Sequence, residues 1–226
     1  MENLKSGPCE DNYSYIYQKS DHMENKPTWN PERLMELYEQ MLANYQSGEI
    51  WKNIPGAKEI LHIIKEVAPE RDSEINPAVR MLICERIIGN DLIDLRDTPR
   101  LYLAYLEYWM ECNRMSKTED ELKDTDLDKD FINTATEMSQ KVKSILSGDI
   151  KVWNSLGHLK HDPVQLTPEW EENIYEIEAE CEYRLKDEPR GMGFCHAYWC
   201  TKSAVAAKYR IEWTSPAGMN RGVMFD

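Results

Sequence analysis

The densest group of reactive side chains is the run Gly191-Met192-Gly193-Phe194-Cys195-His196-Ala197-Tyr198-Trp199-Cys200, which puts two thiols and an imidazole among three aromatic rings. Cys195 and His196 are candidate catalytic residues. A thiolate needs a nearby base or a positive environment, and a helix beginning near Phe194 would lower the pKa of Cys195 through its free N–H groups. Adjacency argues against a simple pair, because neighbours on a helix point about 100° apart. The competing explanation is packing, with Phe194, Tyr198, Val205 and Tyr209 docking one helix face on a core and Cys195 and Trp199 beside them.

His158 and His161, with Cys195 and Cys200, are candidate metal ligands, and this nitrogen and sulfur set would suit zinc. The spacing is poor, since His158-x-x-His161 has no second clean pair and Cys195 and Cys200 lack a knuckle glycine. Glu59-x-x-His62 is the unit that di-iron bundles use twice, but it occurs once here; Glu85 and Glu107, which interrupt apolar helices, could complete a carboxylate cluster, yet the second Glu-x-x-His is missing. His161-Asp162 has no well-placed partners for a metal phosphohydrolase. Gly191-x-Gly193 lacks the third glycine of a dinucleotide fingerprint, and neither a phosphate-binding loop nor a Gly-x-Ser-x-Gly elbow occurs. No cofactor is expected, zinc being the ion to look for if one were held.

Charge offers a different kind of chemistry. The chain has 27 basic and 41 acidic residues, a net charge of −14, which disfavours general binding to nucleic acid or to anionic lipid. Acid is concentrated in two blocks, residues 119–130 and 169–188, the second holding nine acids with only Arg184 and Lys186 against them. From Arg190 onward the sign reverses, with Arg190, Lys202, Lys208, Arg210 and Arg221 against Glu212 and Asp226. An acidic helix face with Glu171, Glu172 and Glu176, and an aromatic segment with Trp199 and Trp213, are therefore candidate binding surfaces for a protein partner. A solvated, solubilising face is the simpler reading of the same acids.

The elements that must position these residues are helices. Asn30-Pro31, Asn76-Pro77, Thr98-Pro99 and Thr167-Pro168 each pair a capping side chain with proline at the first helical position. Leu34, Leu37, Tyr38, Met41, Leu42 and Tyr45 form one 3.6-residue stripe, Ile60, Ile63, Ile64 and Val67 a second, and Val79, Leu82, Ile83 and Ile87 a third. Residues 101–110 are apolar nearly all round and mark the central helix. After an exposed, charged connection at 116–130, stripes resume from Phe131 to Ile145 and from Trp170 to Leu185, and a last helix is expected over 194–209. Weak strand signals occur only at 13–17 and 209–213.

The expected fold is all-α: a single-domain bundle of about seven helices over 29–226, with an irregular arm at 1–28 and a C-terminal tail docked through Val223, Met224 and Phe225. Half-bundles at 29–115 and 128–226 are conceivable, because Ser47-Gly48-Glu49-Ile50 is echoed by Ser147-Gly148-Asp149-Ile150. With 41% apolar and 10% aromatic residues the chain can fill such a core. No leader or membrane span is expected, so six scattered cysteines read as reduced thiols of a cytoplasmic protein. The functional expectation is an interaction or regulatory module that binds a protein rather than a small molecule. A hydrolase or metal-dependent enzyme built near residues 195–200 is the alternative.

Overall fold

The computed structural model describes residues 30–67, 76–116 and 126–225. Within them the chain is all-α and contains no strand: α1 (Pro31–Gln46), α2 (Ile54–His62), α3 (Pro77–Gly89), α4 (Pro99–Ser116), α5 (Asp126–Leu146), α6 (Ile150–Asn154), α7 (Pro168–Leu185), α8 (Phe194–Lys208) and α9 (Pro216–Met219). Seven of these run nine residues or longer, as the periodicity predicts. The short α6 and α9, and the 3-10 turns Ile50–Asn53 and Pro163–Leu166, are too brief for a stripe to reveal. The expected arm at 1–28 and the strand signal at 13–17 lie outside the described residues. Residues 209–213 turn at Arg210, in the left-handed region at φ 62°, and continue without strand pairing. The fifth helix starts at Asp126, ahead of the apolar stripe, since a first helical turn needs no buried face and tolerates acidic positions well.

Three of the four proline starts are capped as expected. Arg33 N–H donates to Asn30 (3.1 Å), Val79 N–H to Asn76 (3.0 Å) and Trp170 N–H to Thr167 (3.2 Å). Thr98 departs from the pattern: its hydroxyl turns back to donate to the Asp94 carbonyl at 2.9 Å. The carboxylate of Glu171, from α7, accepts the N–H groups of Arg100 (3.0 Å) and Leu101 (2.8 Å) instead. A charged acceptor at a helix N-terminus also meets the positive end of the helix dipole, so α4 and α7 are fastened at that point.

The larger core lies among α1 to α5. Ile60, Ile64, Cys84, Ile87, Tyr105, Cys112 and Val142 are fully enclosed there, with α4 as its axis. Tyr105 donates to the Ala57 carbonyl (2.7 Å) and Tyr108 to that of Ile64 (2.6 Å), where α2 loosens into the π turn Ile63–Val67. A smaller core joins α7 to α8 through Trp170, Ile174, Ile177, Cys181, Val205, Ala206 and Ile211, and reaches the first residue of α2, Ile54. The tail docks, but of the three apolar residues expected to hold it only Phe225 does so. Asn220 brackets the Lys160 backbone with two 2.8 Å bonds, Thr214 N–H donates to Asp162 (2.6 Å), and Phe225 lies edge-on to Trp199 with ring centroids 5.1 Å apart. Val223 and Met224 remain exposed.

The stops at Gly48 and Gly148 adopt the same local form. Both glycines have positive φ (75° and 97°), and each preceding serine hydroxyl donates to the carbonyl three residues back. A left-handed glycine closes helices generally, so this likeness needs no duplicated ancestor.

Candidate functional site

On α7, positions 171, 174, 178, 181, 182 and 185 share the inward face by their spacing of three and four, while Glu172 and Glu176 fall on the outer, exposed side. On α8, Phe194, Tyr198 and Lys202 recur every fourth residue and line up against that face. Two ionisable groups are thereby carried inside: the side chains of Glu178 and Lys202 are 7% and 8% exposed and lie 2.5 Å apart. Tyr198 donates its hydroxyl proton to the other oxygen of Glu178. The Lys202 ammonium also sits 5.0 Å from the ring centre of Trp170, 5.2 Å from Trp213 and 5.9 Å from Tyr198. Burial pulls its pKa down, but the charges of Asp97 and Glu178 outweigh burial and raise it, so Lys202 stays an ammonium.

The connection from α3 to α4 supplies Asp94, Arg96 and Asp97. One Asp97 oxygen accepts from the Trp170 indole and from the Gln165 amide, both at 3.2 Å. Burial, and then the neighbouring charge of Asp97, raise the pKa of Asp94. Burial pushes the Cys181 thiol up to about 12, with Glu178 adding to it, and Tyr198 is driven above its ordinary range by the same two causes. Neither group can serve as a ready anionic nucleophile.

Two clefts flank this network, sharing Asp94, Asp97 and Tyr198. The first, of about 320 Å³, has α7 on one side and α8 on the other, with the 3-10 turn Ile50–Asn53 at its edge. Glu49, Asp94, Asp97, Glu178 and Glu182 line it, with Trp51, Phe194 and Tyr198 as aromatic walls and Arg190 as its lining cation. Lys52 holds Glu49 at 2.9 Å and Glu182 at 3.1 Å while lying over Trp51. The second cleft, of about 160 Å³, is closed by the docked tail and lined by Arg96, His161, Asp162, Trp199, Lys202 and Trp213 among others. Gly157 lets Arg96 approach its backbone, since a Cβ there would stand 2.6 Å from the guanidinium.

The Cys/His candidates are not drawn to one place. Cys195 is half-buried in a recess shared with Arg190 and Phe194, and His196 is exposed and packs edge-on to Trp199 at 5.3 Å. His158 and Cys200 are exposed, and His161 faces the second cleft, where burial and then Arg96 lower its pKa. Among the described residues no group of three or more His, Cys, Asp or Glu is arranged to hold a metal ion. Glu59 is engaged by Arg33 (2.7 and 3.0 Å) and His62 is exposed, while Glu85 accepts from Trp109 (2.9 Å) and Glu107 pairs with Lys143 (2.7 Å).

Of the binding candidates, Glu171 is a buried helix cap, Glu172 and Glu176 face solvent, and Trp213 stacks on Trp170 with centroids 6.1 Å apart. Sequence reasoning missed Glu178 and Lys202. The available signal was one acid and one base intruding, with opposite sign, on the apolar faces of two neighbouring helices. Among the described residues no helix is long and apolar enough to cross a membrane. Set against known proteins, the chain matches no family model, no curated protein and no solved structure.

Proposed function

We propose that the protein is a non-enzymatic interaction module and that its partner protein engages the cleft between α7 and α8. The observation that carries this reading is the convergence of two features that the sequence keeps apart. The acidic face of α7 and the aromatic start of α8 are opposite walls of one cleft. Aromatic surface supplies contact area and acidic groups select a partner by charge, the combination that recurs at protein contact sites. The exposed acids Glu172 and Glu176 belong to a different face and are assigned to solubility.

The test is a quantitative affinity capture with three forms of the full chain: wild type, Glu182→Lys in the cleft, and Glu172→Lys with Glu176→Lys on the outer face. Partners retained by wild type and the outer-face variant but lost by Glu182→Lys are the expected result. Loss confined to the outer-face variant would move the contact to the other side of α7. Identical partner sets for all three would sink the reading.

A further inference from the structure

We infer that the group received by this cleft is the guanidinium of an arginine side chain on the partner protein, an inference that rests on the cleft being the contact site. The first argument is charge. Lys52 is shared by Glu49 and Glu182, and Lys202 stands in the fields of both Glu178 and Asp97. Lys52 and Lys202 thus serve four carboxylates between them. The remaining lining cation, Arg190, is exposed and makes no ion pair with another described residue. Negative charge is left over on the cleft walls.

The second argument is the aromatic lining. Around the cleft the chain repeatedly seats its own cations on aromatic faces: Lys52 lies 5.3 Å from the Trp51 ring centre, Arg190 5.5 Å from Phe194, and Lys202 5.9 Å from Tyr198. The Arg190 guanidinium rests on the Phe194 wall itself. These walls have therefore the chemistry that accepts a cation.

The third argument is shape. A guanidinium is planar, weakly hydrated and carries five donors in a fixed fork, so it can lie on a ring while reaching carboxylates on different elements. Here the carboxylates come from α7 (Glu178, Glu182) and from the α3–α4 connection (Asp94, Asp97). An ammonium is a compact, strongly hydrated point charge and gains less from the same walls. A volume of about 320 Å³ lies at the low end of ligand pockets, a size for one side chain rather than a folded element.

Titration of the isotope-labelled full chain, followed by NMR, tests this. The probes are capped arginine, its citrulline and lysine counterparts, and a glycine-serine heptapeptide with arginine at its centre. Capped arginine should shift the Trp51 indole signal and the amides of 94–98 and 190–198, with citrulline silent and lysine weaker. Glu182→Gln should weaken arginine binding by up to about fivefold, the reach of one solvent-accessible ion pair. Arg190→Ala, at an exposed position, should strengthen it by removing a competing cation. The heptapeptide should bind about as tightly as capped arginine, since the cleft takes one side chain and the flanks add no contact.

Equal binding of arginine and citrulline, equal binding of arginine and lysine, or no response to arginine would overturn the guanidinium assignment and leave the interaction reading standing. Capped arginine binding while the heptapeptide does not would instead overturn the partner-protein reading, because the cleft would then exclude an arginine held within a polypeptide.

Discussion

Around α4 the interior is filled by Ile60, Ile64, Ile87 and Tyr105; Tyr105 and Tyr108 donate to the carbonyls of Ala57 and Ile64, and the buried guanidinium of Arg80 donates to the Tyr108 hydroxyl at 3.0 Å. Around Trp170 the interior encloses an ammonium, a carboxylate and a phenol in direct contact, with two more carboxylates behind them. The first region is held by apolar area, roughly 25 cal/mol for each Å² removed from water. The second encloses far fewer apolar side chains and relies on charges that must stay matched. Both clefts border the second core.

The largest effect expected from this contrast is at Lys202. Lys202→Met removes the cation and strands Glu178 and Asp97, which should destabilise the fold by about 3–5 kcal/mol in urea unfolding. Pairing it with Glu178→Leu should recover much of that loss. If the single variant is as stable as wild type, the second core does not depend on matched charge. In the first core, Ile60→Ala should cost about 3 kcal/mol through its cavity and leave the signals of the α7–α8 cleft unshifted. A disturbed cleft in that variant would mean that the two cores are not separable.

Next in size is the link between the regions. Glu171→Gln keeps the shape of the α4 cap but removes its charge and one of its acceptors, for an expected loss of about 1–2 kcal/mol and faster amide exchange at Arg100 and Leu101. Wild-type protection at those amides would show the cap to be idle.

The pH dependence sharpens the comparison further. The folded protein holds the Asp94 proton to higher pH than the unfolded chain, whose carboxyl titrates near its ordinary 3.8. Stability from this group is present below that value and is lost as pH rises through the raised folded pKa. The melting temperature of Asp94→Asn relative to wild type should therefore climb across that window. A constant difference would remove the assigned environment of Asp94. The smallest effect is expected at exposed Cys200, where Cys200→Ser should change stability by less than about 0.5 kcal/mol and leave cleft binding intact.

Helix positions were legible because their signals are local. Asn30, Asn76 and Thr167 cap the helices that their Asn-Pro and Thr-Pro pairs announce, and the stripes on α1 and α7 follow a period that needs no knowledge of partners, whereas on α3 Leu82 of the expected stripe is exposed and Arg80, Cys84 and Ile87 are the buried positions. Thr98 shows the limit of that logic. Its sequence signal matches the others, yet a carboxylate 73 residues away reaches the same N–H groups and releases the hydroxyl for Asp94. The same limit governs the candidate site. The Gly191–Cys200 run does border a cleft, but through Phe194 and Tyr198, while Cys195 and His196 diverge as helix geometry requires.

Composition and periodicity by themselves determined the all-α class, the seven long helices and the sign reversal of charge near Arg190, because each depends on neighbours within a turn or two. Tertiary structure alone decided which acids of α7 turn inward, that Lys202 meets Glu178, and that α7, α8 and the α3–α4 connection enclose one acidic, aromatic cleft. Those outcomes depend on the rotation and distance of helices far apart in the chain, and pairing a buried charge is a property of two surfaces at once.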